Sequence, residues 1–551
     1  MKKIKIIKPF QHGKIIDFAV EELKEFLGIF VEIVLNFEEE SDYQIVLGDN
    51  EIARKEGFIS KKYLGRAYSI ITKDNNYFIM SNSEEGLLFG CYRLMHELIG
   101  FETYAIDEIF ISDSIVFKDI NIEEIADIPF ASRSWMADKY NNDYFYRLGY
   151  SNPHWMVDWH SFVSHILPKE KYYKDHPDWY AYPSTRQLCL TNEEMTEEFT
   201  KNVISYLNDE NLKDGCTFIL RLGHEDNVQY CKCPKCQESD ANYKCSGTLI
   251  RFINKVAKKV NKYAEEHYPN KSVKMETFGY SFTVEPPLDE NGNLLDESVR
   301  TEKNVGIMYA NMAPYWHDQY DKYVKTLEGW STIGAELYIW LYDSIFDDEF
   351  IYLNTIPNTQ KLFKKLKEFN TIYLEDMGHR LANVSFDAWS NYIHSKLSWD
   401  VNSDIERLTN NFFEHYYKEA SKDVKQYFDE INKIEESFND FTRHCFIIAA
   451  PNFKESQYWP KETLVKWINL LTEARNKVDS KVALRVDRER LTPLYLYLEI
   501  YAFETDKTLL KQYINMFEKT CLENNIVYKS EHGAEYSRDV ETVISAWRSL
   551  L

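Results

Sequence analysis

The sequence is poor in the residues that loosen a chain. Of its 551 residues only 19 are glycine and 15 are proline, which excludes a collagen-like repeat and a Pro/Gly-rich disordered chain. Positive charge is also short. Sixty-five Lys and Arg face 88 Asp and Glu, for a net charge of −23. That argues against nucleic acid or an anionic membrane surface as the partner, because phosphate binding needs a basic patch. No apolar run approaches the 18 or more residues of a membrane span. Nine cysteines, an odd number in a long chain, do not resemble a secreted disulfide framework. No G-x-G-x-x-G follows a strand, so a dinucleotide site has no support. In the opening MKKIKIIKPF, Lys5 and Lys8 break the apolar run, so there is no signal-peptide core. This predicts a soluble, cytoplasmic protein, with export left open if a leader has been removed.

What is present is a chain with 44% hydrophobic and 28% charged residues, the balance of an ordinary globular protein. Aromatics reach 15%. Either they pack a glycine-poor core, or some of them wall a cleft that stacks flat rings against a ligand.

The length suits three or four domains of about 150 residues, or one barrel of about 250 with two flanking units. Residues 1–125 read as a small α+β unit. Asp17 is placed to cap a helix carrying Phe18, Leu23, Phe26 and Leu27, and Tyr43 to Leu47 is a short strand. Asp74-Asn75-Asn76 separates two apolar runs as a hairpin turn, and Leu87 to Leu98 recur at helical spacing up to Gly100. Residues 126–400 alternate short apolar runs with amphipathic stretches. Candidate strands are 132–136, 217–222, 273–278, 305–309, 337–341 and 371–374. Six strands in this span predict an α/β fold, a (β/α)8 TIM-type barrel with one or two strands unread. A doubly wound open sheet is the alternative. Residues 401–551 read as helical, with one apolar stripe from Val424 to Phe441 and another beginning at Leu464.

Barrel enzymes carry their chemistry at the C-terminal ends of strands. Here those ends present His224-Glu225-Asp226, Glu276 with Tyr280, Asn311, Trp340 with Asp343, and Glu375-Asp376 followed by His379 and Arg380. Paired carboxylates beside aromatics suit glycoside hydrolysis, which needs one protonated acid and one ionised group. The adjacent Glu225 and Asp226 also suit a substrate-assisted variant, in which one carboxylate orients a 2-acetamido group. The plain alternative is that acids at strand ends are solvated or cap helices. Trp135, Tyr280, Trp340 and Trp389 can stack on a sugar or pack a core. The stretch His154 to His165, with His160 and Asp158 among Trp155 and Trp159, has no helical metal-ligand spacing and reads better as a sugar-binding loop. Cys231, Cys233, Cys236 and Cys245, spaced C-x-C-x2-C-x8-C, can supply four thiolates to a structural zinc that docks a partner or stiffens a loop. Buried inert thiols are the alternative. No cofactor is expected for catalysis itself.

Five segments, HSFVSHILPKEKYYKDHPDWYAY, QLCLTN, LGHEDNVQYCKCPKC, LIRFINKVAKKV and WSNYIHSKLSWD, resemble glycoside hydrolase family 163 in order and spacing. The segment SEEGLLFGCYRLMHELIG is similar to the small domain that precedes the barrel in family 20 hexosaminidases and α-glucuronidases. The first resemblance implies a barrel hydrolase cleaving β-linked N-acetylglucosamine in complex glycans or oligosaccharides, retaining and substrate-assisted. It implies Asp226 as an acid before the cysteine-rich stretch, and Glu375 as the acid of a Glu-x-Gly-like strand end. The text Glu375-Asp376-Met377-Gly378 departs by one residue and leaves Glu375 and Asp376 both open. Glu225 stands where the family usually has an amide.

The expected assignment is therefore Asp226 orienting the acetamide or serving as acid, Glu225 supporting it and Glu375 complementing it. His160, Tyr280, Asn311, Trp340, Asp343 and Asp376 would contact the glycan. An acidic sugar held by Arg221 or Arg380, as in an α-glucuronidase, and a non-catalytic carbohydrate binder are the alternatives.

Overall fold

A computed structural model describes the chain except for residues 37, 61–63, 135–141, 153, 156, 210–216, 270, 312–318, 335, 347, 379–383, 438–453 and 530–538. The N-terminal unit contains β1 (Lys3–Ile7), β2 (Glu32–Val34), β3 (Tyr43–Leu47), β4 (Tyr68–Lys73), β5 (Asn76–Met80) and β8 (Asn121–Glu124), in the order β2-β1-β3-β5-β4-β8. A separate ribbon pairs β6 (Glu102–Ala105) with β7 (Glu108–Phe110). The β4–β5 hairpin turns through Asp74 and Asn75, both at positive φ, a conformation Asn and Asp tolerate better than most residues. Helices Lys14–Leu27 and Glu84–Ile99 bury Leu23, Leu27, Leu88 and Leu94 in one core with the sheet. Gly100 closes the second at φ 66°. The first begins at Gly13, so Asp17 lies inside its first turn and not at the expected cap. There it still faces the positive helix end, and it pairs with Lys8 at 2.5 Å.

The main sheet is all parallel and seven-stranded, in the order β10-β11-β12-β13-β14-β15-β9. Its strands are β9 (Phe130–Ser134), β10 (His154–Trp155), β11 (Thr217–Arg221), β12 (Ser272–Tyr280), β13 (Val305–Ala310), β14 (Glu336–Tyr342) and β15 (Thr371–Met377). The first strand in sequence thus lies beside the last, while the second occupies the opposite edge. The sheet curls enough for the two edges to approach, since the Trp155 ring on β10 meets Tyr373 on β15 at 4.9 Å. Curling follows from the right-handed twist summed over seven strands. Among the described residues no ladder joins β9 to β10, so a curled half-barrel stands where the sequence predicts a closed eight-stranded barrel. β10 has only two residues.

Helices Glu193–Asp209, Pro234–His267, Tyr320–Ser331 and Ile356–Glu368 connect successive strands. Between β12 and β13 only single 3-10 turns stand in for a helix. After β15 comes the helix Asp387–Trp399, and from Ile405 onward the described chain is almost entirely helical. Val424, Tyr427, Phe428 and Ile431 of the expected stripe are buried there; Phe438 and Phe441 lie outside the described residues. Among the described residues no helix is long and apolar enough to cross a membrane.

Candidate active site

Alternation along each strand separates two faces of the curled sheet. Leu220, Met275, Ile307, Ile339 and Leu374 face the surrounding helices, while Ile219, Phe278, Met308, Tyr338 and Tyr373 fill the concave side. Trp155, Trp159, Tyr280 and Trp340 pack on that concave core and are only partly buried. All the strands run the same way, so their C-terminal ends share one mouth.

Three ionisable groups meet just inside it. Arg221 ends β11, Glu276 lies opposite it on β12, and Glu375 comes from β15. All three are at least 96% buried. Arg221 Nε is 3.1 Å from Glu276 Oε1. Its guanidinium lies over the Trp155 ring at 3.3 Å and the Trp159 ring at 4.1 Å, a stacking geometry suited to a planar cation. Ser132 Oγ donates to Glu375 Oε2 at 2.7 Å, and the Tyr373 hydroxyl donates to the same oxygen. Ser132 is opposite Glu375 in the β9–β15 register, and Tyr373 is two residues before it, so the strand geometry alone brings the three together.

The two carboxyls therefore have different surroundings. Burial pushes Glu276 up, Arg221 pulls it down and the charge of Glu375 raises it again, leaving it at about 7. Glu375 instead accepts from two hydroxyls, those of Ser132 and Tyr373. Burial draws Arg221 down to about 10 against the pull of Glu276 and Glu375. Both Glu276 oxygens, Arg221 Nε and Nη2, and the indole Nε1 of Trp159 and Trp340 are buried without an aligned hydrogen-bond partner. The same holds for Arg133, Asp376 and His394 on the other face of the sheet, so both buried charge clusters rest on ion pairs.

The expected residues separate into three places. Glu375 and Trp340 are on the concave face, where Trp340 meets Trp159 edge-on at 5.0 Å. Asp226, Tyr280 and His160 are at the rim. Asp226 is exposed and accepts a hydrogen bond from the Tyr280 hydroxyl at 2.9 Å. Burial, with the Asp226 charge, raises the Tyr280 phenol well above its ordinary value. His160 Nδ1 is 2.6 Å from the His224 carbonyl. His224 itself is buried, and that burial lowers it to about 4, so it is neutral at physiological pH.

The others serve the fold. The Glu225 carboxylate accepts from the backbone N–H of Val163 at 2.8 Å and of Ser164 at 3.0 Å. It caps the helical turn Phe162–Ile166, because the first N–H groups of a turn have no partner within it. Asn311 donates to the Tyr309 hydroxyl at 2.6 Å, and Tyr309 packs in the outer core. Asp343 and Asp376, expected at the substrate, are on the helix side of the sheet. There His394 lies 2.9 Å from Asp343 and 3.0 Å from Asp376, and Arg133 lies 3.2 Å from Asp376. Asp387 completes this layer, 3.9 Å from Arg133. Trp389 is buried in the outer core and donates to Thr409, so it stacks on no ligand. Trp135, His379 and Arg380 lie outside the described residues, as does the side chain of His154.

The cysteine set also changes. Cys231, Cys233 and Cys236 are joined by Cys189, the four sulfurs all lying within 4.8 Å of one another. Cys245 instead faces Asp240 and Tyr230. A break at Lys244, where φ is 61° inside the helix Pro234–His267, separates it from the other three. Glu276, Ser132 and Tyr373 were absent from the expected site. Glu276 was visible as a strand acid, but its importance depends on burial beside Arg221, which one-dimensional spacing does not carry.

A family model described as a domain of unknown function, DUF4838, matches residues 112–429. No curated protein matches the chain. Among solved structures, a GH138 enzyme targeting pectin rhamnogalacturonan II is 12% identical with a TM-score of 0.43, covering 100% of this chain and 98% of its own. CpGH84B is 13% identical with a TM-score of 0.43, covering 100% and 96%. CpGH84D is 10% identical with a TM-score of 0.44, covering 100% and 95%.

Proposed function

The chain belongs to the DUF4838 family, whose model matches residues 112–429, and on that premise we propose that it is a glycoside hydrolase working at the concave mouth of the curled sheet. The observation that carries this reading is the pair of buried carboxyls held in unlike surroundings. Glu276, raised to about 7, donates its proton to the glycosidic oxygen as the C–O bond breaks. Glu375, held by Ser132 and Tyr373, remains ionised and stabilises the positive charge that develops at the anomeric carbon. Arg221 limits how far Glu276 rises, so the acid stays poised near neutral pH. The unpartnered indole N–H groups of Trp159 and Trp340 suit sugar hydroxyls, and their rings suit a sugar face.

The finer reading, taken from the resemblance to family 163, is retaining cleavage of β-linked N-acetylglucosamine with the (β/α)8 architecture of that family. The Asp226–Tyr280 pair at the rim supplies an anion that orients the acetamide, and the acid role passes from Asp226 to the buried Glu276. A second reading rests on Arg221, whose Nη2 is buried without a partner and would take the carboxylate of a uronic acid.

Hydrolysis of aryl N-acetyl-β-glucosaminides and aryl glucuronides by wild type, Glu276→Gln and Glu375→Gln tests the set. The first reading expects turnover of the acetamido sugar, lost in both variants. Turnover of the glucuronide alone selects the second. Glycan binding measured by calorimetry, with no turnover on a broad panel, overturns both in favour of a carbohydrate-binding protein.

A further inference from the structure

Cys189 precedes the helix Glu193–Asp209, and Cys231, Cys233 and Cys236 surround the start of the helix Pro234–His267. Their sulfurs converge although Cys189 is far from the other three in sequence. Cys189 Sγ lies 3.7 Å from Cys233 Sγ and 3.8 Å from Cys236 Sγ. A disulfide needs about 2.05 Å, and all four cysteines are free. Four sulfurs at about 2.3 Å from one zinc, arranged tetrahedrally, are separated by about 3.8 Å along each edge. Two edges of that tetrahedron are therefore already formed.

The surroundings bring polar groups to the sulfurs. Cys233 is the N-cap residue of its helix and Cys236 is in the first turn, where backbone N–H groups have no partner within the helix. The Tyr182 N–H points at Cys231 Sγ from 3.4 Å, and Thr191 Oγ1 is 3.2 Å from Cys236 Sγ. Donors of this kind orient and stabilise metal-bound sulfur. Zinc with four thiolates carries a charge of −2, and exposed Lys232 and Lys235, interleaved with the cysteines, offset it.

We propose that Cys189, Cys231, Cys233 and Cys236 bind one structural Zn2+ that pins the loop after β11. A four-thiolate shell leaves no position for water or substrate, so the metal is structural and not catalytic. Its consequence is local. Gln187, two residues before Cys189, accepts from the Glu225 N–H at 3.0 Å and donates to the Glu225 carbonyl at 2.7 Å. The metal thus ties together both flanks of the loop that carries Asp226.

The test is elemental analysis of full-length protein purified without added metal or chelator, followed by cobalt substitution. The expected result is one zinc per chain, and on exchange the visible absorption of tetrahedral thiolate-bound Co2+. Cys189→Ser should lower bound zinc severalfold, whereas Cys245→Ser should leave it unchanged, which separates this ligand set from the one that sequence spacing suggests. If Cys189→Ser does not fold, a thiol-specific mercurial titrated into wild type should release zinc as four thiolates react. Zinc-free protein with four thiols open to modification would overturn the proposal. So would iron in place of zinc, or a metal lost with Cys245 and kept with Cys189 replaced.

Discussion

Glu375 and Asp376 are neighbours on one strand, chemically alike and almost equally buried, yet they do opposite things. Glu375 faces the concave side, where Arg221 pairs with Glu276 at 3.1 Å and the indole N–H groups of Trp159 and Trp340 have no aligned partner. Asp376 faces the helices, where Arg133 and His394 flank it. Burial alone raises the Asp376 pKa, but those two cations outweigh it and bring it below the ordinary carboxylate value. A buried charge is tolerated only when something compensates it. On the helix side the compensation is built into the fold. On the concave side one cation, Arg221, faces two carboxyls, Glu276 and Glu375. One-residue alternation along β15 is what puts Glu375 in the proposed site and Asp376 in the packed layer beneath the helices.

The strongest way to break this comparison is to remove one charge from each face. Glu375→Gln should reduce kcat by about 1000-fold while the melting temperature stays near that of wild type. Asp376→Asn should do the reverse. Leaving Arg133 and His394 without their shared carboxylate should cost about 3–5 kcal/mol of stability by denaturant titration, with turnover per folded molecule changed only a few-fold. If Asp376→Asn proves the more damaging to turnover and stays stable, the two faces have been assigned the wrong way round.

The pH dependence of each face sharpens the contrast. Glu276 must be protonated to act as the acid, so kcat/KM should fall as pH rises through about 7. Glu276→Gln should lose that alkaline limb together with most of the activity, about 100- to 10,000-fold. Substrates with activated leaving groups should suffer least. Arg221 lowers the Glu276 pKa, so Arg221→Met should move the limb to higher pH. A limb that does not respond to either substitution would remove Glu276 from the acid role.

On the helix side the linked quantity is stability. Burial alone would lower His394, but Asp376 and Asp343 outweigh it and raise it to about 9 from its ordinary 6.5. A folded-state value above the unfolded one stabilises fully below about 6.5 and is lost as pH climbs through about 9. Wild type should therefore lose stability across that window, measured by urea titration at successive pH values. In His394→Gln the slope between pH 6.5 and 9 should flatten. An unchanged slope would mean that His394 is neutral throughout.

Much of this arrangement was legible in the amino-acid order. The runs at 217–222, 305–309 and 337–341 form strands because aromatic and β-branched residues fill both faces of a buried parallel sheet. β10 was not legible, since two residues carry no period. The alternation of β15 shows that Glu375 and Asp376 point apart, but not which of them faces the concave side; that is fixed by β9, whose Ser132 and Arg133 pair with them in register. Spacing placed Cys245 in the cysteine set because it is near in sequence. The observed fourth member, Cys189, is brought in by tertiary packing that no local pattern records.

The smallest effect separates two residues that the sequence presents as a pair. Glu225 and Asp226 are adjacent, and both were expected at the substrate. The Glu225 carboxylate already accepts from two backbone N–H groups of the turn Phe162–Ile166, whereas Asp226 is exposed and receives only the Tyr280 hydroxyl among the described contacts. Glu225→Gln keeps an acceptor oxygen for that cap and removes the charge. It should cost about 1 kcal/mol in thermal stability and change kcat/KM by less than about threefold. Asp226→Asn should leave stability unchanged and weaken turnover of acetamido sugars specifically. Equal losses of activity in the two variants would place both carboxylates at the substrate, and the division between cap and rim would fail.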